Sequence, residues 1–123
     1  LINSIAKRLR SQVVESGRLI VYDGEKAEKL YLIVSDTIRR KDEEGENHLR
    51  QGAFFGAKSL MERATFQANY VAVEKTHLLI LDAKDFHHLL NHFPSLKERI
   101  EQTYSEKTSV DFGQTEVKDL ESL

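Results

Sequence analysis

The feature that most constrains this fold is a series of short β-rich runs separated by turn residues. Between Gln12 and Leu81, runs of two to five aliphatic or aromatic residues alternate with turn pairs such as Asp23-Gly24 and Gln51-Gly52. Short strands at regular spacing with such turns predict a β-sandwich or a β-roll. From Asp82 onward the apolar residues follow helical spacing, which predicts α-helices after the sheets.

The same patterns divide the chain of 123 residues into four segments. We predict an amphipathic helix over 1–10, a β-roll over 11–82, helices over 83–104 and a tail over 105–123. Pro94 separates two helices in the third segment. The chain begins with Leu rather than Met and shows no secretory signal pattern, so we expect it to be a domain of a larger protein.

Composition excludes several classes of function. The chain has no cysteine, which excludes a thiol nucleophile, a disulfide scaffold and a thiolate metal site. Lys and Arg number 18 against 20 Asp and Glu, and this balance argues against direct nucleic-acid binding. No apolar run approaches the roughly 18 residues of a membrane helix, so we expect no membrane contact by this domain.

The sequence also contains no motif that indicates an enzyme. The chain has no Gly-x-Ser-x-Gly elbow, no phosphate-binding Walker loop and no His-Glu-x-x-His pattern, so we predict that it is not an enzyme and assign no catalytic residue. His87, His88 and His92 cluster on one predicted helix, but we interpret them as ordinary histidines and predict no metal site and no cofactor.

One ordered set of motifs is specific to a family. It comprises Gly17-x-x-Ile20-x-x-Asp23-Gly24-Glu25, Leu30-Tyr31-Leu32-Ile33, Leu49-x-x-Gly52-x-x-Phe55-Gly56-x-x-Ser59-Leu60, Val71-x-Val73, Leu78-Leu79-Ile80-Leu81-Asp82 and Asp85-Phe86. Over about residues 12 to 104 this set resembles the cyclic nucleotide-binding domain family. The resemblance implies a mainly β fold, a double-stranded β-helix (jelly roll) with flanking α-helices. It also implies a cytoplasmic regulatory or sensor module.

The candidate ligand site is the segment that the family uses as its phosphate-binding cassette. Gly52-x-x-Phe55-Gly56 precedes a predicted short helix over 56–61. Glycine lets the backbone approach an anion, and a helix start offers backbone N–H groups. The candidate ligand-binding residues are Phe55, Gly56, Ala57, Lys58, Ser59, Arg63, Phe66, Gln67 and Ala68.

Two of these positions depart from the family pattern. The family has a glutamate that binds the ribose where this chain has Ala57, and an arginine that binds the cyclic phosphate where it has Phe66. Losing two bonds of about 1.5–3 kcal/mol each weakens binding by about two to four decades. We therefore predict that cyclic AMP and cyclic GMP do not bind in the family mode.

Alternatives remain open at this stage. Arg63 or Lys58 could supply the missing cation, which would make the domain a sensor of a cyclic nucleotide or another small anion. The domain could instead be a degenerate protein-interaction scaffold. We expect the remainder of the parent protein as its partner, with a channel or transporter favoured, and a homo-oligomer is a further alternative.

The tail over 109–123 carries a separate hypothesis. We expect it to leave the preceding helix and to fold back over the domain or dock on a partner. In some channel relatives within the family, a piece of the chain's own end occupies the nucleotide pocket. In this chain Asp111 would then offer a carboxylate to the cassette, Phe112 a ring in place of the purine, and Gly113 a turn.

Overall fold

The structure, a computed structural model, describes the backbone of residues 7–106 and 112–114 and the side chains of residues 7–102. Nine strands are described: β1 (Arg10–Val14), β2 (Leu19–Val21), β3 (Lys29–Ser35), β4 (Ile38–Asp42), β5 (Gly45–Leu49), β6 (Ala53–Phe55), β7 (Asn69–Ala72), β8 (Thr76–Asp82) and β9 (Phe112–Gln114). Three helices are described: α1 (Ala57–Met61), α2 (Ala83–His92) and α3 (Pro94–Glu106).

The strands form two antiparallel sheets that enclose the core. One sheet has the order β1-β8-β3-β6-β9 and the other the order β2-β7-β4-β5. The β4–β5 hairpin turns between Asp42 and Gly45. This arrangement confirms the prediction of a mainly β jelly roll with flanking helices.

Alternation along the strands places one set of side chains, most of them apolar, between the sheets. In β4, Ile38 and Arg40 are buried while Lys41 is exposed. In β8, Thr76, Leu78 and Ile80 are buried. Successive side chains of a strand point to opposite faces, so each strand lends one face to the core.

The helices after β8 lie where the change of spacing predicts them. Helix α2 begins after Asp82 and buries Phe86, Leu89 and Leu90, and α3 begins at Pro94, the first-turn position where proline is tolerated. None of the described helices is long and apolar enough to cross a membrane.

The N-terminal segment needs one correction. Lys7 and Arg8 are helical, but Arg10, placed in the predicted helix, belongs to β1. The reason is that Arg10 pairs with Ile80 in the β1–β8 ladder, which ends the helix earlier than the apolar spacing predicts. Residues 1–6 lie outside the described residues.

Part of the tail returns to the domain. Strand β9 pairs antiparallel with β6, opposing Phe112 to Phe55 and Gly113 to Phe54. The tail therefore folds back over the β6 edge at these residues, as one form of the hypothesis expects. Asp111 and the rest of 107–123 lie outside the described residues, so the proposed mimicry of a nucleotide stays a prediction.

Deleting residues 109–123 is expected to expose the β6 edge. The β6 amides that donate toward β9 lose their hydrogen-bond acceptors, so we expect their hydrogen exchange to accelerate at least about tenfold. Exchange measured by NMR checks this, with the β8 amides as the internal control, because β8 lies between β1 and β3. Unchanged exchange throughout 53–55 would show that β9 does not protect this edge.

Candidate functional site

The cassette begins at a glycine that no other residue replaces easily. Gly56 lies between β6 and α1 with a φ of +100°, in the left-handed region. A Cβ on Gly56 would lie 2.8 Å from the backbone oxygen of Lys29 and 3.1 Å from the ring of Phe66. The predicted short helix follows at once as α1, with Ala57, Ser59 and Leu60 buried.

The interior beside Gly56 is filled by four aromatic side chains, which we call the aromatic cluster. Tyr31 stacks on Phe55 with ring centroids 4.7 Å apart, and Phe55 stacks on Tyr70 at 4.2 Å. Phe66 lies against both tyrosines, at 6.4 Å from Tyr31 and 5.8 Å from Tyr70. All four are buried, and burial, aided by the charge of Glu25, raises the pKa of Tyr31 to about 12.

Backbone hydrogen bonds hold Phe66 in this cluster. Its N–H donates to the oxygen of Glu25 at 2.8 Å, and its own oxygen accepts from Gly24 at 2.8 Å. The Phe66 side chain is 1 % exposed, so this ring is part of the core. The place where the family resemblance puts a phosphate-binding arginine therefore holds a buried hydrocarbon ring.

The remaining predicted site residues separate into three environments. Phe55, Gly56, Ala57, Ser59, Phe66 and Ala68 are buried, and Lys58 is half-buried. Arg63 is exposed and lines a cleft on the outer surface beside α2. Gln67 is exposed and lines a small cavity with Arg40 and Asp42. The structure therefore brings Phe55, Gly56 and Phe66 close together. It places Arg63 apart from them, on the outer surface.

Sequence reasoning missed a buried arginine next to the aromatic cluster. Arg40 is 3 % exposed, and its Nη1 donates to Asp42 Oδ2 at 2.6 Å while its Nε donates to the Tyr70 hydroxyl at 3.2 Å. Burial disfavours its charge, but the interactions with Tyr70 and Asp42 outweigh that and raise the pKa of Arg40. The alternation Ile38, Arg40, Asp42 was the available signal, because it places the arginine on an inward face.

Replacing Asp42 with asparagine is expected to lower the free energy of unfolding by about 1.5–3 kcal/mol near pH 7. The hydrogen bond from Arg40, with those from the Glu44 and Gly45 backbone, lowers the pKa of Asp42. A lowered folded pKa stabilises the protein above the unfolded value of about 3.9 and loses that stability as the pH falls through the folded value.

Urea denaturation at about pH 7 and about pH 3 checks this, and the variant is expected to lose part of the acid sensitivity. The matched control is Glu46→Gln, which removes an exposed pair with Lys41 at 3.9 Å and is expected to cost under about 0.5 kcal/mol. If the Asp42→Asn variant loses as much stability between about pH 7 and about pH 3 as the parent chain, Asp42 is not a source of the acid sensitivity.

Two of the three clustered histidines contact each other within α2. His92 Nδ1 lies 3.1 Å from the backbone oxygen of His88, one turn earlier in α2. Among the residues that the structure describes, no three His, Cys, Asp or Glu side chains are arranged to hold a metal ion.

The sequence matches a family model and is similar to several known proteins. Residues 11–93 match the family model described as cyclic nucleotide-binding domain. A protein named as a potassium channel protein from Rhodopseudomonas palustris is 29 % identical over 121 residues, which cover 95 % of this chain and 29 % of that protein. The cAMP-dependent protein kinase regulatory subunit of Yarrowia lipolytica is 34 % identical over 91 residues, or 72 % of this chain and 24 % of that protein.

Solved structures show the same fold. The Thermus thermophilus catabolite activator protein matches with a TM-score of 0.74 and 26 % identity, over 86 % of this chain and 53 % of that one. The regulatory subunit of a cAMP-independent protein kinase A from Trypanosoma brucei matches with a TM-score of 0.67 and 25 % identity, over 80 % and 38 %. The chain thus spans under a third of the two sequence relatives and about half or less of these structures.

Proposed function

Because the chain belongs to the cyclic nucleotide-binding domain family, we propose that it is a regulatory domain that binds neither cyclic AMP nor cyclic GMP in the family mode. The observation that carries this proposal is the position of Phe66. Its ring lies against Gly56, inside the roll, where the family resemblance requires a cation for the cyclic phosphate.

The chemistry of the cassette supports the loss of binding. Ala57 is fully buried at the start of α1, and its methyl group accepts no hydrogen bond from a ribose hydroxyl. The stacked rings of Tyr31, Phe55 and Tyr70 fill the interior next to it, so a nucleotide would have to displace packed aromatic surface. We infer that the family-type bonds to the ribose and to the cyclic phosphate have no counterpart at positions 57 and 66.

Strand β9 covers the edge of the sheet next to the cassette through backbone pairing. It pairs with β6, the strand that ends at Phe55 immediately before Gly56. The edge leading into the cassette is thus covered by the chain's own tail. We propose that this pairing replaces a diffusible ligand as the element that holds β6 in place.

Two relatives bear on the biological setting. The Trypanosoma brucei neighbour is described as cAMP-independent, so a protein of this fold acts as a regulatory subunit without depending on cyclic AMP. The Rhodopseudomonas palustris relative is named as a potassium channel protein and aligns with 95 % of this chain. We propose that the present domain is the cytoplasmic regulatory part of a channel or transporter, has no enzymatic activity, and acts on the rest of its parent protein.

Cyclic AMP and cyclic GMP are expected to bind this chain with a Kd above about 100 μM. The reason is the absence of both the ribose acceptor and the phosphate cation at positions 57 and 66. Isothermal titration calorimetry on the full chain checks this, with the Yarrowia lipolytica regulatory subunit as the positive control. A low-micromolar Kd would contradict the proposal and would favour the alternative of a sensor with an altered cassette.

A further inference from the structure

A large cleft lies beside α1 and α2 and is lined by none of the residues of the aromatic cluster. It is bounded by Arg8, by the end of α1, by the residues between β2 and β3, and by α2 as far as Asn91, and its volume is about 780 Å³. Ala27, Leu60 and Ala83 contribute apolar surface to it. This size falls in the range of about 300–1,000 Å³ that small-molecule sites occupy.

The charge of this outer cleft is predominantly positive. Arg8, Lys26, Arg63 and Lys84 line it, against the carboxylates Glu28 and Asp85. Asp85 is already paired with Arg8, at 3.1 Å. Among the side chains of residues 7–102, no carboxylate lies within ion-pair distance of Lys26, Arg63 or Lys84. Three cationic side chains therefore share one concave surface with the Glu28 carboxylate, and none of the three forms a direct ion pair within this part of the chain.

Arg63 takes a backbone conformation that favours glycine. Its φ is +53°, just after α1, where Ala64 N–H donates to the Ser59 oxygen at 2.9 Å and closes the helix end. Glycine is the usual residue at such a helix end, since a side chain there is strained. Arginine at this position adds strain to the fold and brings a guanidinium to the cleft.

A histidine in the cleft faces the same cation. His87 is half-buried, and burial together with the charge of Arg63 lowers its pKa. A neutral imidazole offers one donor and one acceptor. His88 also lines the cleft and is exposed.

We propose that this outer cleft binds the phosphate group of a small organic phosphate. Arg63, Lys26 and Lys84 supply the positive charge, with the planar guanidinium suited to paired phosphate oxygens. Ala27, Leu60 and Ala83 offer apolar contact to the organic part. The site lies outside the aromatic cluster, so it goes beyond the proposed function and does not depend on whether cyclic nucleotides bind.

Calorimetry on the full 123-residue chain with adenosine 5′-monophosphate and, separately, with inorganic phosphate tests the proposal. The imidazole NMR signals of His87 and His88 report occupancy. Arg63→Gly is expected to weaken binding at least about tenfold, while its unfolding midpoint stays equal or rises because glycine relieves the left-handed strain. The matched control is Arg50→Ala, an exposed arginine that does not line the cleft.

The outcomes are distinct. Binding of the nucleotide that shifts His87 and is weakened in Arg63→Gly but not in Arg50→Ala supports an organic phosphate as the occupant. If inorganic phosphate binds as tightly as adenosine 5′-monophosphate and depends equally on Arg63, the cleft recognises a phosphate group. The occupant is then free phosphate. No heat and no imidazole shift with about 10 mM of either probe, or equal binding to Arg63→Gly, overturns the proposal.

Discussion

The double variant Ala57→Glu with Phe66→Arg is expected to bind cyclic AMP at least about 100-fold more tightly than the parent chain. The glutamate restores a carboxylate at the start of α1, and the arginine restores a cation beside Gly56. Each charge-assisted bond is worth about 1.5–3 kcal/mol, so restoring two of them corresponds to a gain in affinity of about 100-fold or more.

The same double change is expected to weaken the free protein. Removing the buried Phe66 ring costs about 3–5 kcal/mol when its space is left unfilled. Ligand binding then shows as a rise in Tm that grows with cyclic AMP concentration, which calorimetry confirms at constant pH and salt.

A matched control separates the cation from the loss of the ring. Ala57→Glu with Phe66→Leu removes the same ring but supplies no positive charge, so its affinity is expected to stay close to that of the parent chain. A folded double variant, verified by circular dichroism, that gains no affinity would show that Phe66 and Ala57 are not what prevents binding.

The parts of the fold that the sequence predicts are those set by local chemistry. Asp23-Gly24 and Gln51-Gly52 lie in turns, and the apolar runs between such turns pair as strands. The glycine before α1 is recognisable because a helix start after Phe55-Gly56 needs a backbone that tolerates positive φ. Such features depend on a few residues that are neighbours in the sequence, so a short sequence motif is enough to predict them.

The parts that escaped prediction depend on distant contacts. The tail is predicted to fold back, but the strand that it forms is not: β9 pairs with β6, which lies more than 50 residues earlier in the chain. The burial of Arg40 depends on which face of β4 meets Tyr70. Arg63 resembled a displaced phosphate ligand, but the end of α1 turns the backbone at that residue and brings it to the outer surface.

Phe66 illustrates how sequence and structure complement each other. Its position in the motif order predicts that the family's phosphate-binding cation is missing, and this prediction needs no coordinates. The tilted contact with Tyr31 and the edge-on contact with Tyr70 show in addition that the ring at this position is packed in the core. The sequence thus shows that position 66 lacks an arginine, and the structure shows how the phenylalanine there is packed. The contribution of that packing to stability can be measured.

Replacing Gly56 with alanine is expected to destabilise the domain by about 2–5 kcal/mol. Part of the cost is the strain of a φ of +100° in a residue with a Cβ, about 1–2 kcal/mol. The rest arises because that Cβ would lie 2.8 Å from the Lys29 backbone oxygen, which cannot move without disturbing β3, and 3.1 Å from the Phe66 ring.

Gly24→Ala is the matched control for Gly56→Ala, since Gly24 has a φ of +97° and open space around its Cβ position. The control is expected to lose only the strain, about 1–2 kcal/mol, in urea denaturation. The difference between the two variants measures the close contact of Gly56 with Lys29 and Phe66. Equal losses would mean that this contact adds no constraint, and that the cassette glycine serves only the turn. A larger loss at Gly56 would show that the ring of Phe66 and the backbone of β3 together hold the cassette closed.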